Sequence, residues 1–105
     1  MATIFADLDG VTFQFGTNEF VPGALEKLRE FQKAGNQIVF ITRRDGVFCP
    51  LGDTAEVLSG MFPGSALITN VSSPRILIND EGAAAINHVR DAAWLYDLVS
   101  MASTL

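Results

Sequence analysis

The chain has 105 residues, a formal net charge of −5 and a single cysteine, which bounds it to one domain, residues 1–105, and excludes an internal disulfide or a cysteine-built zinc cage. The acidic balance argues against general nucleic-acid binding, because no basic surface is available to neutralise a phosphate backbone. Hydrophobic residues make up 49% of the sequence and include eight Phe, enough for a packed core that buries roughly 60–70% of the unfolded surface; no apolar run approaches the roughly 20 residues of a membrane span and no signal-peptide pattern opens the chain, so the expected setting is cytoplasmic.

The first element is a short apolar run, Ala2-Thr3-Ile4-Phe5-Ala6, ending in Asp7-Leu8-Asp9-Gly10-Val11. A buried strand that opens into a glycine turn delivers two acids to a sheet edge. Because the turn can aim the second acid elsewhere, the two carboxylates can take different jobs. Like charges this close also need a cation or a perturbed pKa. Phe13, Phe15 and Phe20 flank Gly16-Thr17-Asn18, the pattern of a small hairpin or flap beside the acids. Pro22 opens a helix through about Ala34, with Ala24, Leu25, Leu28 and Phe31 on one face and Gly35 as the stop. Gln37-Ile38-Val39-Phe40-Ile41 is a second buried strand, ending in Thr42-Arg43-Arg44.

Residues 45–52 read as loop, with Cys49-Pro50 forbidding a helix there. Asp53-Thr54-Ala55-Glu56 has the spacing of a capping box and starts a short helix carrying Leu58 and Met61, which Pro63-Gly64 ends. Residues 65–68 are expected as a third strand. Arg75-Ile76-Leu77-Ile78 reads as a fourth, ending in Asn79-Asp80-Glu81-Gly82. The remainder reads as helical, from Ala83 to about Val89 and again, with Asp91 as N-cap, from Ala92 to about Met101. That last helix is apolar nearly all round, so it is either well buried or covered by another subunit, and a homo-oligomer formed through it is an expectation. His88 and Trp94, each alone among apolar helix residues, read as structural.

Strands alternating with helices predict a small doubly wound α/β fold: a mostly parallel sheet of about four strands with helices on both faces. In such sheets ligands gather beyond the carboxyl ends of the strands. Three of the four expected strand ends carry side chains suited to phosphate and metal, namely Asp7 with Asp9, Thr42 with Arg43 and Arg44, and Asn79 with Asp80.

In this order the apolar strand with Asp7-Leu8-Asp9-Gly10-Val11, the Pro22-Gly23-Ala24 helix, Ile38-Val39-Phe40-Ile41-Thr42 and the late Ile76-Leu77-Ile78-Asn79-Asp80 resemble the haloacid dehalogenase-like superfamily over about residues 3 to 82. The resemblance implies a Rossmann-like core and a Mg²⁺-dependent phosphatase that works through an aspartyl-phosphate. Asp7 would be the nucleophile, Asp9 the general acid/base and Thr42 a phosphate ligand. Mg²⁺ would be held by Asp7, Asp9 and the fourth motif, Asn79 or Asp80. Backbone N–H groups after Asp9, at Gly10, together with Arg43 and Arg44, would bind substrate. The family's Lys between the second and fourth motifs is not matched, since Lys27 and Lys33 fall on the polar face of the first helix; Arg75 is the nearest positional substitute, with Arg43 and Arg44 as rivals. The intervals from Gly10 to Pro22 and from Arg43 to Ser65 are too short for a cap domain, so the phosphorylated substrate would be large or covered by a neighbouring subunit. Two other readings stand beside this one: a non-catalytic phosphate- or metal-binding relative, or a nucleotidase-type member. A receiver-like signalling module is a third.

Overall fold

The computed structural model describes residues 1–47, 51–86 and 98. Five elements follow in chain order: β1 (Thr3–Asp7), α1 (Ala24–Lys33), β2 (Gln37–Ile41), α2 (Thr54–Met61) and β3 (Ala66–Ile68). The strands form one parallel sheet in the order β1-β2-β3. Asp7 stands opposite Ile41, and Ile41 opposite Ile68. The carboxyl ends of all three strands therefore lie along one edge, and each crossover carries a helix, as parallel pairing requires.

One face of the sheet builds the core. Ala6, Leu8, Ile38 and Phe40 join Ala24 and Leu28 of α1 and Leu58 and Phe62 at the end of α2 in a single buried cluster, with Ile86 and Leu98 packed against it. Both α1 and α2 send their apolar residues into this cluster, so among the described residues the helices lie on one face of the sheet. The expected doubly wound arrangement, with helices on both faces, is not formed: the strand order β1-β2-β3 advances in one direction and carries both crossovers to the same side. The helix expected from Ala83 to about Val89 is not formed over residues 83–86, which carry no helix and leave Ala83, Ala84 and Ala85 exposed, with no packed face to hold a turn. The rest of that stretch and, apart from the helical Leu98, the last expected helix lie outside the described residues, as do His88, Trp94 and Cys49. On the opposite strand faces, Phe5 and Ile68 are exposed. No helix among the described residues is long and apolar enough to cross a membrane.

Local sequence explains the element ends. Gly23, in the left-handed region at φ 86°, turns the chain into α1. Past the helix, Gly35 closes it with an N–H to the Gln32 carbonyl oxygen while Asn36 Nδ2 donates to the Phe31 carbonyl oxygen. At α2 the expected capping box is not formed. Asp53 stands at the N-cap without a side-chain cap bond, because its carboxylate accepts from Asn18 Nδ2 at 2.7 Å.

The expected hairpin is present as a narrow flap. Phe13 bridges Phe20 antiparallel, Gln14 N–H donates to the Glu19 carbonyl, and Thr17 N–H returns to Gln14. Aromatic contacts tether the flap to the core: Phe13 meets Phe20 edge-on at 5.0 Å, Phe20 meets Phe62 at 6.1 Å, and Phe62 meets Phe40 at 5.1 Å. Such pairs each contribute about 0.5–1.5 kcal/mol beyond area burial, so a loop of otherwise polar tip residues is held over the sheet edge.

The expected fourth strand is not formed, and the described sheet has three strands. Ile76, Leu77 and Ile78 are 87%, 66% and 93% exposed. β-branched composition favours a half-buried pleat but does not supply the pairing that makes a strand. The one side chain of this segment tied to the sheet edge is Arg75, through Asp7 and the Val71 carbonyl.

Candidate active site

The first acid lies at the last position of β1. Asp7 is about a third exposed, and its Oδ2 accepts from Arg75 Nη1 at 3.0 Å. Its Oδ1 accepts from the Leu8 N–H at 2.8 Å, and its carbonyl oxygen accepts from the buried Thr12 hydroxyl. Arg75 Nη2 in turn donates to the Val71 carbonyl, while its Nε is buried without a hydrogen-bond partner.

The second acid is placed differently. Asp9 has left the strand, and its carboxylate, 15% exposed, is held in bidentate fashion by Arg44: Nη2 to Oδ1 at 2.7 Å and Nε to Oδ2 at 3.2 Å. The flap adds the Gly16 N–H to Oδ1 at 2.9 Å. Burial pushes the Asp9 pKa up, but the Arg44 hydrogen bonds, the Gly16 N–H and the charges of Arg44 and Arg43 outweigh it, leaving the carboxyl below its ordinary value. The two acids thus have different exposure and different arginines, which is the condition for giving neighbouring carboxylates separate roles.

Arg44 is itself buried, at 5% exposure. Besides Asp9, its guanidinium reaches Thr17 O through Nη2 at 2.6 Å, and through Nη1 both Asn18 Oδ1 at 2.6 Å and Thr54 Oγ1 at 3.1 Å. It also lies 5.7 Å from the centre of the Phe13 ring. The Thr54 hydroxyl is within hydrogen-bonding reach of Asn18 Oδ1 and of the Leu51 carbonyl oxygen.

The remaining expected site residues divide. Thr42, just past β2, is fully buried, and its Oγ1 accepts the Arg44 N–H at 3.1 Å. Gly10, at φ 80°, makes the turn, and its N–H is directed to the Phe13 carbonyl at 2.8 Å rather than toward an open site. Arg43 is exposed. Asn79 and Asp80 are exposed as well, and Asn79 Nδ2 donates to the Glu81 carbonyl. Lys27 pairs with Glu30 on the surface of α1. Asn18, Thr54 and Asp53, read from the sequence only as flap tip and helix start, are members of the cluster that the sequence does not mark as site residues. Only a buried arginine in need of acceptors reveals them, and the burial of Arg44 is not written in its own neighbourhood.

Magnesium prefers about six oxygen ligands in near-octahedral geometry. Among the described residues no group of three His, Cys, Asp or Glu side chains comes together. Both carboxylate oxygens of Asp9 face Arg44, and Asp7 shares its carboxylate with Arg75. As placed, these side chains do not fit a magnesium cage, and guanidinium groups supply the counter-charge. A surface cavity of about 320 Å³ lies by Arg29, Gln32, Lys33, Met61 and Pro63 and includes none of the site residues. A smaller one of about 170 Å³ lies under the flap, lined by Gly16, Thr17, Asn18, Arg44, Leu51 and Gly52.

Fold and cluster together define a small α/β domain with an acid and arginine site at the carboxyl edge of a parallel sheet. No protein-family model, curated protein or solved structure matches the chain.

Proposed function

We propose that this chain is a phosphomonoester phosphohydrolase, a phosphatase of the haloacid dehalogenase-like kind, that acts through an aspartyl-phosphate on Asp7. The observation that supports it is the contrast between the two acids. Asp7 is accessible at a strand end with the Arg75 guanidinium 3.0 Å away, while Asp9, two residues on, is enclosed against Arg44. A carboxylate attacks a phosphate dianion only when positive charge offsets the repulsion, and Arg75 stands where that charge is needed.

In this reading an Asp7 oxygen bonds to phosphorus as the ester P–O bond breaks and the leaving oxygen departs with the bonding pair. Water then attacks the phosphorus of the acyl phosphate, gives up a proton, and Asp7 is released with inorganic phosphate. The proton of that water leaves with the inorganic phosphate, because Asp9, held below its ordinary pKa by Arg44, is a weak base. To donate a proton to the leaving oxygen it would first have to be protonated against Arg44. Substrates with stable leaving anions, such as aryl phosphates, are therefore favoured. A cytoplasmic setting and a substrate large enough to cover the open site belong with the same reading.

The test is hydrolysis of p-nitrophenyl phosphate by the wild-type chain and by Asp7→Asn, each with Mg²⁺ and with EDTA. Turnover abolished by Asp7→Asn is the expected result, and the EDTA arm decides whether Mg²⁺ is the cofactor. Turnover unchanged in Asp7→Asn overturns the mechanism. A second reading, a non-catalytic phosphate-binding domain, is favoured by one observation: both acids are already paired with arginines, and among the described residues no three acidic groups converge. Phosphate binding by calorimetry without turnover on any aryl or alkyl phosphate would select it.

A further inference from the structure

We infer that Arg44 is a positioning residue and not a phosphate contact: it fastens the flap and the start of α2 to Asp9, and so sets the shape of the site next to Asp7. The argument is one of donor count. A guanidinium carries five N–H groups in a fixed planar fork. In Arg44 all five are directed at protein acceptors, with Nε on Asp9 Oδ2, the Nη1 pair on Asn18 Oδ1 and Thr54 Oγ1, and the Nη2 pair on Asp9 Oδ1 and Thr17 O. Its side chain is 7% exposed. A phosphate oxygen would have to displace one of these acceptors and leave it unpaired in a buried place.

The acceptors come from three separate stretches of chain: the turn after β1, the flap tip and the first residue of α2. Asn18 extends the link, since its Nδ2 donates to Asp53 at the N-cap of α2. Gly16 N–H closes the loop on Asp9 Oδ1. Asp9 and the flap are therefore one unit whose rigidity depends on Arg44. The phosphate-facing role is left to Arg75, which is partly exposed and lies on Asp7.

The kinetic part of the test rests on the phosphatase reading, and the exchange part does not. The variants are Arg44→Lys and Arg44→Met, with Asn18→Ala and Thr54→Val as milder cuts in the same network and Arg75→Lys as the comparison. Amide exchange of Gly16 in the otherwise intact fold, with Phe40 in β2 as internal reference, is expected to accelerate about tenfold or more in Asn18→Ala and Arg44→Lys. Gly16 exchange unchanged in both of those variants overturns the inference. With p-nitrophenyl phosphate, Asn18→Ala and Arg44→Lys are expected to lower kcat by up to about 10²-fold, as misplacement of a reacting group does, with KM and competitive inhibition by inorganic phosphate within about twofold of wild type. Arg75→Lys is expected to weaken phosphate inhibition. Phosphate inhibition lost in Arg44→Lys and retained in Arg75→Lys overturns it. A wild-type chain without turnover refutes the phosphatase reading, and the Gly16 exchange result then decides the role of Arg44 alone.

Discussion

The Asp9→Asn substitution separates a structural ion pair from a surface one. Asp9 and Arg44 are 15% and 7% exposed along their side chains, so both have been taken out of water and each stabilises the other. Asparagine keeps the size of the side chain but removes its charge and turns an amide NH₂ toward guanidinium N–H groups. A buried guanidinium left without its counter-charge costs about 3–5 kcal/mol, a large share of the roughly 5–15 kcal/mol that a domain of this size has in total. For about 100 residues this corresponds to a fall in melting temperature of about 15–20 °C. Asp7→Asn is the matched control. Its pair with Arg75 is 35% and 25% exposed, so its loss costs under about 1 kcal/mol. Urea and thermal unfolding at pH 7, followed by circular dichroism, measure both. Equal stability of the two variants, each within about 1 kcal/mol of wild type, would mean that the Asp9–Arg44 pair is solvated and that the argument from its burial is wrong. The difference also governs how activity data are read, because a dead Asp9→Asn protein proves nothing about proton transfer unless it is folded at the assay temperature.

Asp9 predicts a pH dependence with a definite sign. Its folded pKa lies below the ordinary carboxylate value, so the stability it contributes is complete above about pH 4 and is lost as pH falls through the folded value; urea midpoints between pH 6 and 3 should drop less steeply in Asp9→Asn than in wild type. Phe40→Ala removes a fully buried ring that packs on Phe62, and a loss of about 3–5 kcal/mol in urea unfolding is expected. Gly10→Ala tests backbone alone. Nothing lies within 4 Å of an added Cβ and φ is +80°, so denaturant unfolding should register only the strain of about 1–2 kcal/mol that a left-handed residue with a side chain carries.

Much of the fold was legible because its signals are local. The runs through Phe5 and Phe40 are apolar and closed by acids, Thr or Gly, and α1 carries a single apolar stripe between Gly23 and Gly35. Buried strands separated by helices have few arrangements open to them besides a parallel sheet. Arg75-Ile76-Leu77-Ile78 departs from its expected strand for the complementary reason. Strand propensity is local, whereas a pairing partner is supplied by the rest of the molecule, and here the three apolar residues are left in solvent. The capping box failed in the same way. Asp53 and Glu56 have the right spacing, but Asn18, 35 residues earlier, takes the Asp53 carboxylate. The acids and the residues after β2 are picked out by position at strand ends, as is the expectation that the two acids differ, but not that Arg44 encloses Asp9 while Arg75 meets Asp7. Arg44 looks like any surface arginine until Asn18 and Thr54, 26 and 10 residues away, are found on its guanidinium.

Two carboxylates two residues apart at a strand end need counter-charge, and a divalent cation or a pair of guanidinium groups can provide it. The two arginines are not equivalent in what they permit. Opening the partly exposed Arg75–Asp7 pair costs about 0–1 kcal/mol, an amount that one hydrogen bond to an incoming anion, or one contact to a metal, offsets. Opening the buried Arg44–Asp9 pair costs several times more, about 3–5 kcal/mol, and would also release Asn18, Thr17 and Thr54. An anion bound at this edge, as the proposed function requires, would therefore exchange partners at Asp7 and Arg75 while Asp9, Arg44 and the flap stay in place. On the proposed phosphatase reading, the acid that can change its partner is the one to form and break a bond to phosphorus, and the acid that cannot holds the surface against which that exchange would occur.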